Sequence, residues 1–138
     1  MTPTDQQLRS LAEFRFALRS FMAASERINR EGRITQQQYQ ALLAIMAQTE
    51  GAPSIRALAD ELLLTHHATV QLVDRLAKAA LIERRPSPED RRIVRLALTL
   101  EGERLLMALA TSHLQEVLRQ EPLMTCALQR LKRAASAA

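Results

Sequence analysis

Apolar side chains recur every three or four residues through most of this chain, the spacing of helices that each bury one face. A first helix is predicted from near Thr4 to about Asn29, with Asp5 favourably placed in its first turn. It carries two apolar rows, one of Leu8, Leu11, Leu18 and Met22 and one of Phe14, Phe21 and Ile28. Two rows require two faces to be covered, and a second subunit is the simplest cover for the face its own domain does not meet. Gly32 ends this stretch, and Thr35-Gln36-Gln37-Gln38 reads as a capping box for a second helix with Tyr39, Leu42, Leu43 and Met46 on its inner face. Gly51-Ala52-Pro53 breaks it. Ser54 caps a short third helix with Ile55, Leu58, Ala59 and Leu62 inward, and Thr65 caps a fourth.

After Leu81 the period changes. Ile82 to Arg85 and Ile93 to Leu98 are β-prone runs joined by the turn Pro86-Ser87-Pro88-Glu89-Asp90. Thr99 then caps a long fifth helix, with Glu101 in its first turn and Leu105, Leu106, Leu109, Val117 and Leu118 forming its apolar rows. Pro122 fits the first turn of a sixth helix carrying Leu123, Ala127, Leu128 and Leu131, and Ala134 to Ala138 reads as a frayed tail. The fold class expected is mainly α: a winged helix-turn-helix with a two- to three-stranded β wing, flanked by N- and C-terminal dimerisation helices. One domain spans 1–138, with dimerisation helices at 1–32 and 99–138 and the winged lobe at 35–98.

Composition narrows the chemistry. The chain has 138 residues, 47% hydrophobic but only 3% aromatic, so its core must be chiefly Leu, Ala, Val and Met. A single Cys excludes an internal disulfide framework and a multi-cysteine zinc site. His66 and His67 diverge on a helix and His113 is distant in sequence, so no metal is expected. No Ser/His/Asp order, Gly-rich phosphate loop or paired-carboxylate motif suggests catalysis, and no cofactor is implied. No apolar run reaches membrane-spanning length and the start lacks a signal segment, so a cytoplasmic protein is expected.

The formal charge of +4 matters less than its distribution. On the fourth helix Thr69, Leu72, Val73 and Leu76 share an anchoring face, leaving His66, His67, Val70, Gln71, Asp74, Arg75 and Lys78 outside. That division suits a helix whose N-terminal half reads base edges in a major groove. Gln71 can pair with adenine, and Val70 can meet a thymine methyl. His66 and His67 sit at the positive helix end, where phosphate binds; Arg75 and Lys78 suit phosphates too. An ordinary amphipathic surface helix would look similar in isolation. The hairpin that follows carries Arg84, Arg85, Arg91, Arg92 and Arg95, beyond what Glu83, Glu89 and Asp90 offset. Arginine at a loop tip can enter a narrow minor groove, and Asp90 is spaced to orient Arg92. Ser54, Thr65 and Ser87 complete the expected DNA-contact set.

Three segments together resemble the MarR family of transcriptional regulators: Leu72-Val73-Asp74-Arg75-Leu76, Leu81-Ile82-Glu83-Arg84-Arg85, and Pro88-Glu89-Asp90-Arg91-Arg92 running on to Leu98-Thr99-Leu100-Glu101-Gly102. The resemblance is strongest from Ser54 to about Leu106. It implies a homodimer whose terminal helices intertwine, with two recognition helices in successive major grooves of a pseudo-palindromic operator in double-stranded DNA, and Arg92 at the wing tip held by Asp90. It further implies repression relieved by a small phenolic or aromatic ligand. Two features depart from the family pattern: Ala80 stands where Gly is common, and His66-His67 is an unusual helix opening. A ligand pocket is expected among Phe14, Arg15, Phe21, Tyr39, Met46 and Leu109, with Arg15 available for a carboxylate, although these positions also serve as plain core or dimer contacts. Cys126 is expected as a buried small residue. Three rival readings remain at this point: a winged-helix protein-interaction module that never touches DNA, a small redox-active enzyme or thiol sensor using Cys126, and a MarR-like DNA binder that works by occupancy with no effector.

Overall fold

A computed structural model describes residues 1–137. Five helices and one hairpin follow in the order α1 (Asp5–Glu31), α2 (Gln36–Met46), α3 (Ile55–Leu62), α4 (His66–Lys78), β1 (Ile82–Pro86), β2 (Val94–Leu98) and α5 (Leu100–Ser136). The expected mainly helical, winged architecture is present. Contacts divide the chain into a terminal unit, Met1–Ile28 with the segment from Thr111 on, and a central unit, Asn29–Ala110.

Local chemistry explains where the helices start. Thr4 and Gln7 exchange side-chain and backbone bonds at 3.1 and 2.9 Å, a capping box ahead of α1. Thr35 and Gln38 do the same for α2 at 3.1 and 2.8 Å. Ser54 and Thr65 each accept an N–H from the third residue on, Ala57 and Ala68, at 3.1 Å. Thr99 accepts from Gly102 at 3.0 Å and opens α5.

Three expectations are corrected here. Pro122 does not start a sixth helix; it lies inside α5, which is continuous to Ser136. A proline loses one backbone bond and crowds the preceding turn, yet both neighbouring segments keep helical periodicity, and the helix runs through. The expected tail is likewise helical as far as Ser136, and Ala138 lies outside the described residues. In α2 the inward face is Ala41, Leu42 and Ile45, while Leu43 and Met46 are exposed. Ala41, Leu42 and Ile45 share one face at helical spacing, which turns Leu43 and Met46 away from it.

The central unit buries Leu42 and Ile45 of α2, Leu58 of α3, Leu72, Val73 and Leu76 of α4, Ile82 of β1 and Leu96 of β2 around one core. β1 and β2 pair antiparallel from Ile82↔Leu98 to Pro86↔Val94. A single bridge between Ser54 and Arg95, with Leu96 N–H donating to the Pro53 carbonyl at 2.8 Å, adds a partial third rung from the start of α3. The terminal unit is different in kind. Its buried apolar residues are Ala17, Ala24, Ala127 and Ala134, while Leu8, Leu11, Phe16, Leu114, Val117, Leu118, Leu123 and Leu128 stay exposed.

Candidate nucleic-acid interface

Helix α4 is seated by its buried face, Thr69, Leu72, Val73 and Leu76. The Thr69 hydroxyl donates to the Thr65 carbonyl at 2.8 Å, closing off the first turn. His66, His67, Gln71, Asp74, Arg75 and Lys78 are consequently exposed on the opposite side, with Val70 half-buried between. Thr65 is used as the cap and Ser54 as both cap and bridge partner, so each contributes backbone geometry at a helix N-terminus. The free first-turn N–H groups there, with the helix dipole, attract anions.

The C-terminus of α4 is fastened to the start of α5. Ala80 takes a left-handed φ of 61°, and Leu81 N–H returns to the Leu76 carbonyl at 3.0 Å. Thr99 then donates its hydroxyl to the Ala80 carbonyl at 2.6 Å and its N–H to the Leu81 carbonyl at 3.1 Å. Gly102 sits directly over that carbonyl, where a Cβ would stand 2.0 Å from the Leu81 oxygen. The strand leaving α4 therefore has a fixed direction.

The wing turn is closed by Ser87 N–H to the Ile93 carbonyl at 2.8 Å and Ile93 N–H to the Asp90 carbonyl at 3.0 Å. Asp90 binds Arg92 three times: its Oδ1 accepts the backbone N–H at 3.0 Å and Nε at 3.2 Å, and its Oδ2 accepts Nη2 at 3.2 Å. These bonds hold the Asp90 carboxyl below the usual carboxylate range, the guanidinium bonds first and the backbone bond second. The Arg92 side chain remains 91% exposed while its base is oriented. The spacing of Asp90 and Arg92 thus produces the aimed arginine that the sequence suggested.

Other expected contact residues are placed less simply. Ser87 is 2% exposed, so its side chain stabilises the turn, accepting Glu89 N–H at 3.4 Å, rather than facing out; the expected contact is corrected on burial. Arg84 is paired with Asp74 of α4, and Arg85 with Glu83. Arg91 is exposed and forms no ion pair among the described residues. The Asp74–Arg84 pair escaped sequence reasoning because the two residues are ten apart on different elements, and no periodicity links them.

The expected ligand residues divide between the units. Phe14 and Phe21 are half-buried and Arg15 exposed in the terminal unit; Tyr39 is half-buried, Met46 exposed and Leu109 buried in the central one. Burial raises the Tyr39 hydroxyl above its ordinary value. Cys126 is exposed, correcting the expectation of a buried residue. Among the described residues no three His, Cys, Asp or Glu side chains cluster as a metal site. No helix among them is long and apolar enough to cross a membrane.

Comparisons with known proteins agree with this geometry. Residues 34–93 match the model of the MarR family. The uncharacterized HTH-type transcriptional regulator YsmB of Bacillus subtilis (strain 168) is 41% identical over 69 residues, 50% of this chain and 47% of that relative. The match therefore spans about half the length of the relative. Among solved structures, the MarR family transcriptional regulator AbsC from Streptomyces coelicolor superposes with a TM-score of 0.79 at 19% identity, covering 87% of this chain and 81% of AbsC. The MarR family transcription regulator SP03579 gives a TM-score of 0.76 at 25% identity, over 96% and 87% of the two chains. The winged helix-turn-helix is the fold these solved structures share. The chain's central lobe is similar to that of MarR-family transcriptional regulators.

Proposed function

We propose that this chain reads double-stranded DNA as a homodimer and acts as a repressor in the cytoplasm, released from its operator by a small-molecule effector. The observation that carries the DNA reading is the pairing of Asp90 with an Arg92 that is 91% exposed, in the same unit as a capped helix presenting Gln71, His66 and His67 outward. Arg92 enters the minor groove while α4 occupies the major groove beside it. Gln71 and Val70 read base edges, and His66, His67, Arg75, Lys78 and Arg91 meet phosphates. Arg84 and Arg85 act chiefly through the carboxylates they already hold.

Dimerisation is supported by the terminal unit. An assembly that buries alanines and exposes a run of leucines has not satisfied its apolar surface alone. A second copy supplies the missing half by a two-fold, self-complementary contact. Two α4 helices then address a pseudo-palindromic site. The family resemblance supports repression and effector release.

The test is selection from pooled genomic fragments by the purified full chain across a salt series. The reading expects a recovered inverted repeat and an affinity that falls steeply as salt rises. Retention of no fragment above background at low ionic strength would overturn it.

A further inference from the structure

The turn between α3 and α4 holds a leucine where a helix-turn-helix often has glycine. Leu63 takes a φ of 56°, with its N–H on the Asp60 carbonyl at 3.4 Å and the Leu64 N–H on the Ala59 carbonyl at 3.0 Å. Glycine takes such a left-handed cap freely, whereas a leucine is strained there by its own Cβ. Packing does not offset that strain, because Leu63 is 91% exposed. Beside it is a hollow of about 500 Å³, walled by Leu43, Ala44 and Ala47 of α2 and by Glu61, Leu62 and Leu63 at the end of α3. Leu43 is exposed too, so the apolar wall continues onto the surface. We propose that this hollow docks a cationic, amphipathic segment of another protein, with large apolar side chains of the segment packed on Leu43 and Leu63 and one of its Lys or Arg residues paired with Glu61.

Charge and shape together select the occupant. Among the described residues Glu61 is the only charged one lining the hollow. Asp60 and Glu61 are both exposed in the last turn of α3 and form no ion pair among the described residues. That turn carries no basic residue, so the two carboxylates stand unaided at the negative end of the helix dipole. A partner cation relieves this repulsion, whereas a nucleic-acid backbone or an acidic membrane surface adds to it. Shape excludes a small lipophilic cation. Such ligands sit in concave, largely enclosing pockets, and one held in the hollow would leave most of the Leu63 side chain in water. Only a partner large enough to surround that side chain removes it from solvent. A polypeptide carrying apolar and basic residues side by side meets both demands. The surface belongs to the central unit, whereas the leucines assigned above to a second copy belong to the terminal unit.

The test is selection from a random peptide display library on the full chain, after removal of every peptide that binds the L63G/E61Q double variant. Enriched peptides should carry Lys or Arg beside Leu, Ile or Phe. Synthesised with a fluorescent label, they are then titrated with each protein and followed by anisotropy. L63G should lower their affinity at least tenfold and E61Q about threefold, and added salt should weaken binding to the wild type. L63G should melt no lower than the wild type, since glycine takes the turn without strain, so its loss of binding cannot come from unfolding. No enrichment, enriched peptides that are acidic or lack basic residues, or an unaltered affinity in L63G overturns the proposal. A lowered melting temperature in L63G also overturns it, because Leu63 would then serve the fold. So does a smaller assembly for L63G than for the wild type in light scattering, which would give the surface to a second copy. Because no duplex is present, failure here leaves the DNA reading standing, and failure of DNA binding leaves this surface standing.

Discussion

Asp74, on the exposed face of α4, accepts a hydrogen bond from Arg84 in β1, tying the reader helix to the wing by a side-chain pair as well as by backbone. The pair places a carboxylate where a DNA phosphate would otherwise be attracted, and it occupies a guanidinium. The side chains are 60% and 37% exposed, so the pair adds little to folding, at most about 1 kcal/mol. Its effect lies in discrimination. Asp74→Ala should tighten binding to random duplex several-fold, steepen the salt dependence, and narrow the ratio between operator and random DNA. Fluorescence anisotropy with both duplexes over a salt series reads all three. An unchanged ratio would remove Asp74 from specificity.

At the wing, Arg92→Ala should weaken operator binding several-fold while leaving the melting temperature in place, since the side chain is 91% exposed. Each lost phosphate-type contact lowers the magnitude of the salt slope by roughly 0.9. Asp90→Ala keeps the cation but loses its orientation, and should produce a smaller loss of affinity with an unchanged slope. Equal affinity of the wild type and Arg92→Ala at every salt concentration would exclude the wing.

The junction between α4 and α5 predicts two substitutions of opposite sign. Ala80 holds φ at 61°, a conformation that glycine takes without strain, so Ala80→Gly should raise stability by about 1 kcal/mol. Gly102→Ala should do the reverse, because its Cβ would overlap the Leu81 carbonyl; the helix start must shift, at more than about 2 kcal/mol. Urea denaturation measures both. A destabilised Ala80→Gly variant would contradict the strain assigned to that residue.

His113 is 7% exposed, and burial lowers its pKa below the ordinary 6.5. Above that value both folded and unfolded chains carry it neutral, so it has no effect on stability. As pH falls below 6.5 the unfolded chain takes up a proton that the folded chain resists, and stability declines until the depressed folded value is reached. His113→Gln should flatten this decline relative to wild type in denaturation midpoints taken from about pH 7.5 to 5. Parallel pH profiles for the two proteins would show that His113 is not the group responsible.

Much of this fold is legible because its signals are local. Thr35, Ser54, Thr65 and Thr99 each announce a helix through the identity of one residue and its relation to the next three, and all four cap as expected. Asp90 and Arg92 are two residues apart, so their bond follows from spacing alone. What escaped depends on tertiary context. Pro122 is equally compatible with a first turn and with the interior of a helix supported on both sides, and only the packed chain decides. Ser87 looks like a polar turn residue until the hairpin closes over it. Cys126 is expected to be buried as a small side chain on a helix, yet the chain leaves it exposed, and nothing in its local sequence says what faces it.

The most direct test of the dimeric reader is hydroxyl-radical footprinting of the full chain on its recovered operator, with the protein-to-duplex ratio measured by light scattering on the same complex. Two chains per duplex are expected, with two related protections centred roughly 10 base pairs apart. A single chain on the duplex leaving one unpaired protection would contradict the account.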